Sequence, residues 1–240
     1  MKLWAVARHP RRRLHERARR RLAARFIAGS GIEIGALHHP FPVPEAARVT
    51  YVDRLDTSRL REEYPELADH PLVEVDAVDD GETLATFKDA SLEFVIASHF
   101  LEHCEDPVGA LKAHLRVLRP GGVLLLAVPD RRHGVDRGRE PTSLEHLLAD
   151  HEQGPLRSRA EHYRDWVRLV DLPLGNVQPE RVECHAAKLQ RHGYSIHFHC
   201  WTGDEFAGQL GDVIRRFGLP GTLVAQRDNH HEFLLAIRRE

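Results

Sequence analysis

The chain has little of what would mark it as secreted, membrane-spanning or nucleic-acid-binding. Its three cysteines, Cys104, Cys184 and Cys200, are widely spaced and include no CxxC pair. An odd, sparse set of this kind gives no disulfide framework and points to reduced thiols in a cytoplasm. No apolar run is long enough to span a bilayer, and the opening MKLWAVARHPRRR lacks the apolar core of a signal peptide. A cytoplasmic protein without stable membrane insertion is the expectation. A formal net charge of −2 gives no general reason for a nucleic-acid partner, and no RNA- or DNA-binding motif is present. There is no internal repeat and no low-complexity tract.

What remains is a chain of 240 residues, 42% hydrophobic, long enough for one well-cored domain over residues 1–240. Within residues 1–27 a basic helix is predicted. Residues 8–25 are dense in arginine, and Leu14, Ala18, Leu22 and Phe26 recur at a four-residue step. A solvated, arginine-rich outer face explains that segment better than a membrane anchor, because it lacks bulky apolar anchors.

Short apolar runs then alternate with helical patterns, the order of a parallel sheet with crossover connections. Strands are predicted at GIEIG (31–35), RVTYVD (48–53), PLVEVD (71–76), LEFVIAS (92–98) and GVLLLAVP (122–129). Between the last two, Asp106-Pro107 starts a helix and Pro120-Gly121 stops it. Residues 130–200 are polar and rich in His and Arg, with helical patterns near 143–152, 157–171 and 178–192. They read as a helical cap inserted over the mouth of the sheet. A capped helix follows at 202–218, with Thr202 as N-cap and Glu205 three residues on, and GTLVAQ and EFLLAIRR flank RDNHH as a terminal hairpin.

The block LEFVIASHFLEHCEDPVGALKAHLRVLRPGGVLLLAVPD (92–130) carries a family resemblance. It is similar to the fourth strand, following turn and helix, and R-V-L-R-P-G-G loop of class I S-adenosylmethionine-dependent methyltransferases. With the acid-ended strands before it and the hairpin after it, the resemblance covers roughly residues 28–130 and 200–240. It implies a doubly wound, seven-stranded α/β sheet, mostly parallel with a C-terminal antiparallel hairpin. GIEIGALHHPFPVP followed by YVDRLD also resembles a bacterial subgroup with a shortened first loop, met in surface-polysaccharide gene neighbourhoods.

The resemblance implies S-adenosylmethionine as cofactor. It assigns Asp53 to the ribose hydroxyls, a task suited to a group that only accepts hydrogen bonds and can hold two donors. Asp76 would lie near the adenine, with Asp79 and Asp80 as rivals. Glu33, Gly35 and Ala36 fall on the first motif, and Ser98 and His99 line the same edge. The first loop departs from the family: Pro40, Pro42 and Pro44 fall between Gly35 and Arg48 and exclude a helix interior there. No GxGxxG follows the first strand, which disfavours a pyrophosphate-bearing dinucleotide. His38, with His39, could meet the cofactor carboxylate.

Three readings compete for the 18 histidines. They are hydrogen-bonding surface and cap groups, or they include a general base, since imidazole has the most suitable unperturbed pKa. The candidate bases are His99 and His103, which bracket the HFLEH turn after the fourth strand, then His197 and His199, which alternate in YSIHFHCW and would share one face if extended. The resemblance implies a structural role for His103, at a turn away from the cofactor. The third reading is a metal site drawn from His146, His151, His162, His197 and His199; no spacing matches a zinc signature, so no metal is expected. Cys104 and Cys200 read as packing. The function expected is methyl transfer to a small-molecule acceptor, a sugar or nucleotide-linked sugar hydroxyl. The alternative is an inactive binding or scaffolding protein with an eroded cofactor loop. Oligomeric state is not legible.

Overall fold

The computed structural model describes residues 12–240, and side chains from residue 15 onward. Seven strands form one sheet in the order β3-β2-β1-β4-β5-β7-β6. β1 (Ser30–Ile34), β2 (Arg48–Asp53), β3 (Ala77–Val78), β4 (Leu92–Ser98) and β5 (Leu118–Pro129) are parallel. β6 (Gly221–Asp228) and β7 (Glu232–Arg239) form the antiparallel hairpin, with β7 against β5. This is the predicted architecture. The central strands are buried on both faces, so they read as unbroken apolar runs without polar alternation.

The helices are α1 (Arg12–Phe26), α2 (Thr57–Glu63), α3 (Pro107–Val117), α4 (Leu144–Gln153), α5 (Arg159–Trp166), α6 (Val182–Arg191) and α7 (Gly203–Phe217). On one face, Val108, Leu111 and Leu115 of α3 and Phe206, Leu210 and Val213 of α7 pack on Ile32, Ile34, Val95, Leu124 and Leu235. Each such side chain contributes about 1.5–3 kcal/mol when fully buried. On the other face, Ala18, Leu22, Ala23 and Ile27 join Phe41 over Phe94, Ile96, Leu125, Ala127 and Leu234. The apolar stripe of the basic helix is therefore core, while Arg17, Arg20, Arg21 and Arg25 face solvent. The predicted helical residues 8–11 lie outside the described part.

Local signals explain the other boundaries. Asp106 accepts the Gly109 N–H at 2.9 Å and starts α3 ahead of Pro107. Thr202 and Glu205 form a full capping box on α7, which ends at Gly218 with φ 57°. Between β1 and β2 the chain makes two tight turns and no helix.

One strand is displaced from its predicted place: residues 71–76 form no strand, and β3 is Ala77–Val78. Two N–H groups of 71–76 are spent elsewhere, Val73 on the Leu37 carbonyl (2.8 Å) and Val75 on Thr57 Oγ1 (2.9 Å). The Asp76 carboxylate itself accepts the Tyr51 N–H at 2.8 Å, filling a ladder position on β2.

Residues 130–200 are mainly helical, with α4, α5, a π-helical turn at Val167–Asp171, and α6 near the predicted positions. They hold a core of their own, including Tyr163, Trp166, Val170, Leu189, Ile196 and Phe198. A bridge between Asp130 and Trp201 ties both ends of the segment to the carboxyl edge of the sheet.

Candidate active site at the carboxyl edge of the sheet

In parallel sheets, nucleotides bind beyond the carboxyl ends of the strands. Ile34 lies opposite Val52 on one side and Ala97 on the other, so Gly35, Asp53 and Ser98 leave their strands at one level. Gly35 has φ 66°, and a Cβ there would meet nothing nearer than Phe100 at 4.0 Å. The backbone is thus exposed to a ligand above β1. Asp53 is half-buried, and its Oδ1 accepts the Arg54 N–H at 2.8 Å. Burial raises its pKa, opposed by that hydrogen bond and by the Arg54 charge. A carboxylate has about four acceptor sites, so capacity remains for further donors. Beside Asp53 in register, at the end of β3, Val78 is 55% exposed and offers an apolar platform that sequence reasoning missed.

Glu33 lies wholly inside. Its Oε1 accepts the Phe41 N–H at 2.8 Å, pinning the proline-bearing loop, while Oε2 has no hydrogen-bond partner. Burial pushes its pKa up to about 7, against the Phe41 N–H and the Arg19 charge. Ala36 is buried, and its carbonyl accepts the His39 N–H at 2.9 Å. His38 is half-buried on the same loop, its ring 4.9 Å from that of His70. Asp76 has its carboxylate committed to β2, as described, because β3 begins after it. Asp79 is likewise committed, holding the Thr86 N–H and Oγ1 at 2.9 and 2.7 Å. Asp80 caps the Glu82 N–H at 2.8 Å.

His99 follows β4 directly, with φ 52°, a left-handed conformation that costs a non-glycine residue about 1–2 kcal/mol. Its N–H donates to the Ala127 carbonyl at 2.7 Å, and its Nε2 meets Glu232 Oε2 at 2.8 Å. Glu232 also accepts Nε and Nη2 of Arg19 in a bidentate pair and Nδ2 of Asn229. Burial opposes charge on Glu232, but Arg19 and His99 outweigh it and hold its pKa well below the usual range. With Nε2–H donated to this carboxylate, the Nδ1 lone pair of His99 is the accepting one. Neither Arg19 nor Glu232 carried a local signal in the sequence, since 213 positions separate them.

On the insertion side, Glu102 is buried with no hydrogen bond to either oxygen, and desolvation raises its pKa despite His99 and His197. His99 Nδ1 and His103 Nε2 each lie 3.9 Å from its Oε1. His103 donates through Nδ1 to the Ile196 carbonyl (2.8 Å), with Ser195 Oγ 3.0 Å from the same nitrogen. Desolvation, then the His197 charge, pushes its pKa down to about 3.

His197 and His199 do not share a face. A bend at Phe198 parts them, with the N–H groups of Phe198 and His199 both directed at the Glu102 carbonyl (2.8 and 3.3 Å). His197 turns to Asp136, Nδ1 to Oδ2 at 2.6 Å, and Asp136 also pairs with Arg139 at 2.7 Å. Burial opposes charge on His197, but Asp136 prevails and its pKa is raised. His199 is wholly buried against Trp201, among His146 and His162. Cys104 and Cys200 are buried, and burial raises both thiols, as packing residues require.

Residues 28–126 match the family described as a methyltransferase domain. Among solved structures, the chain is similar to the N-methyltransferase NodS from Bradyrhizobium japonicum WM9 in complex with S-adenosyl-L-homocysteine. That likeness has 13% identity and a TM-score of 0.50, over 98% of this chain and 91% of that one. A SAM-dependent methyltransferase from Methanosarcina mazei aligns at 17% identity and TM-score 0.45, over 89% of this chain and 92% of that one. No curated protein matches the sequence. The match over residues 28–126 and the seven-stranded sheet together support an S-adenosylmethionine-dependent methyltransferase. S-adenosylmethionine is the cofactor of that class, and the open backbone at Gly35 and the acceptor capacity of Asp53 fit it.

Proposed function

We propose that this chain transfers a methyl group to a hydroxyl of a small acceptor, a sugar or nucleotide-linked sugar, bound between the carboxyl edge of the sheet and the helical insertion. The observation that carries this reading is the register of Gly35, Asp53 and Ser98 at one edge, with His99 next to them and oriented by Glu232.

When bound, S-adenosylmethionine supplies an activated methyl for in-line displacement at carbon. Asp53 would hold the ribose hydroxyls, Val78 would pack on the base, and Gly35, Ala36, His38 and Ser98 would surround the amino-acid end. His99 is the base: Glu232 fixes its tautomer and supports the imidazolium formed when Nδ1 takes the acceptor proton. The ion pair with Arg19 keeps Glu232 ionised for that task. His197, backed by Asp136, faces the same mouth from the insertion and orients the acceptor.

The acceptor class rests on the adjoining groove. His15, Arg17, Arg21, Arg227, Asp228 and Asn229 line it, and Asn229 bonds Glu232, the partner of His99. Guanidinium groups suit a diphosphate linker. The test is calorimetric titration with S-adenosylhomocysteine, followed by a methyl-transfer screen against nucleotide-sugars. Micromolar binding that Asp53→Ala weakens, and turnover that His99→Ala lowers by about 100-fold or more, support the reading. No binding at all would favour a non-catalytic scaffold instead.

A further inference from the structure

His146, Asp150, His162 and His199 bring four ligating atoms within 4.8 Å of one another. They come from three parts of the insertion. His146 and Asp150 stand four residues apart on α4, so they share one helix face. His162 projects from α5, and His199 comes from the segment after α6. None of the four belongs to the cofactor edge.

The separations have the scale of a coordination sphere. His146 Nε2 lies 3.0 Å from His162 Nε2. Asp150 Oδ2 lies 3.1, 3.5 and 3.9 Å from Nε2 of His146, His162 and His199. Ligands held at about 2.0–2.1 Å from a tetrahedral zinc sit about 3.4 Å from one another, in the middle of this range.

The hydrogen bonding of the cluster is incomplete without a shared cation. His199 is 0% exposed, and beyond an approach to the Glu105 backbone neither ring nitrogen makes a well-aligned hydrogen bond; Asp150 Oδ2 lies among the imidazole nitrogens without a well-aligned hydrogen bond either. One proton can bridge the His146–His162 contact, but it leaves His199 unserved. A buried polar group without a partner is rare and calls for an unseen ion or water. The other Asp150 oxygen is fixed by Ser158 Oγ at 2.5 Å, the outer-shell contact that orients a ligating carboxylate. Rings of Trp201 and Phe198 wall the cluster.

The neighbouring histidines behave differently. His151 bonds Asp106 at 2.8 Å, and His197 bonds Asp136. A second group, Glu102, His103 and His197, has three ligating atoms, but its histidines are hydrogen-bonded and it belongs to the acceptor mouth already described.

We infer that His146, Asp150, His162 and His199 form a divalent metal site, a His3Asp set that takes zinc. The set is closed, so the ion is structural: it clips α4 and α5 to the segment that carries His197. Because the His199 N–H is directed at the Glu102 carbonyl, the clip also fixes where the insertion meets the turn after β4.

The test is elemental analysis of protein purified without a histidine tag, with calorimetric zinc titration of the chelated protein. About one zinc per chain is expected, falling about five-fold or more in His146→Ala and in Asp150→Asn. His146 is partly exposed and Asp150→Asn keeps its shape, so both variants are expected to fold, checked by circular dichroism and S-adenosylhomocysteine binding. Chelation should lower the melting temperature of the parent and leave both variants unmoved. Replacing zinc by cobalt should give the visible absorption of a tetrahedral N/O site. Two results overturn the inference: no zinc bound even in excess, or zinc retained in both variants and lost from His103→Ala.

Discussion

Glu33→Gln separates the buried carboxyl of β1 from every other titrating group. In the folded protein the Glu33 pKa rises from an ordinary 4.5 to about 7, because burial outweighs the Phe41 N–H and the Arg19 charge. The sign follows from linkage. Between those two values the folded state holds a proton that the unfolded state has released, so stability falls as pH rises. At 1.36 kcal/mol per pH unit, the loss attributable to Glu33 between pH 5 and pH 8 is roughly 2.5 kcal/mol, levelling off above pH 7. Glutamine keeps the shape and an oxygen for the Phe41 N–H but cannot ionise. Urea denaturation of the cofactor-free parent and variant should therefore give curves of stability against pH that diverge by roughly 2.5 kcal/mol over that interval, the variant gaining on the parent. A constant amide penalty would shift the variant curve without changing the divergence. Parallel curves would refute the argument and mean that Glu33 is ionised throughout, its charge met by Arg19.

Asp53→Ala should weaken S-adenosylhomocysteine binding roughly 100-fold, the loss of two charge-assisted hydrogen bonds, with the melting temperature little changed; calorimetry reads both. Gly81→Ala would set a Cβ 2.6 Å from Ile34 Cγ2 and from Phe100 Cζ, and should destabilise by about 1–3 kcal/mol in denaturant titration. Thr202→Ala removes half of the capping box on α7 and should cost about 1 kcal/mol by the same assay. Glu232→Gln should lower kcat while leaving S-adenosylhomocysteine affinity intact; an unchanged pH–rate profile would remove Glu232 from the support of His99.

What was legible in the sequence is what local physics writes into neighbouring residues. The doubly buried strands at 92–98 and 122–129, the Asp106-Pro107 start and the Thr202–Glu205 cap all signal within a few positions. Asp53 was legible as an acid ending a strand. Asp76 looked the same, but its strand is lost when side chain and backbone both spend themselves on Tyr51. The pairing of Glu232 with Arg19 and His99, and of His197 with Asp136, arises from topology and left no periodic trace. For His197 and His199 the period-two argument failed at a single bend, which sent two similar residues into separate clusters. The expectation of no metal rested on linear spacing, which says nothing of ligands brought together from three segments.

The helix that covers the second face of the sheet is also the one whose Arg19 grips Glu232, and this has a kinetic consequence. α1 leaves the ribosome well before its partner strand β7, some 213 positions later in the chain. Its apolar stripe can cover Phe94, Ile96, Leu125 and Ala127 once β4 and β5 exist, but its contact with Leu234 must wait for β7, and contacts so distant in sequence close slowly. The ion pair that readies Glu232 forms in the same late event. A chain stalled before β7 would leave β5 without its antiparallel partner and have no base-supporting carboxylate, so completion of the sheet and arming of the site are one step.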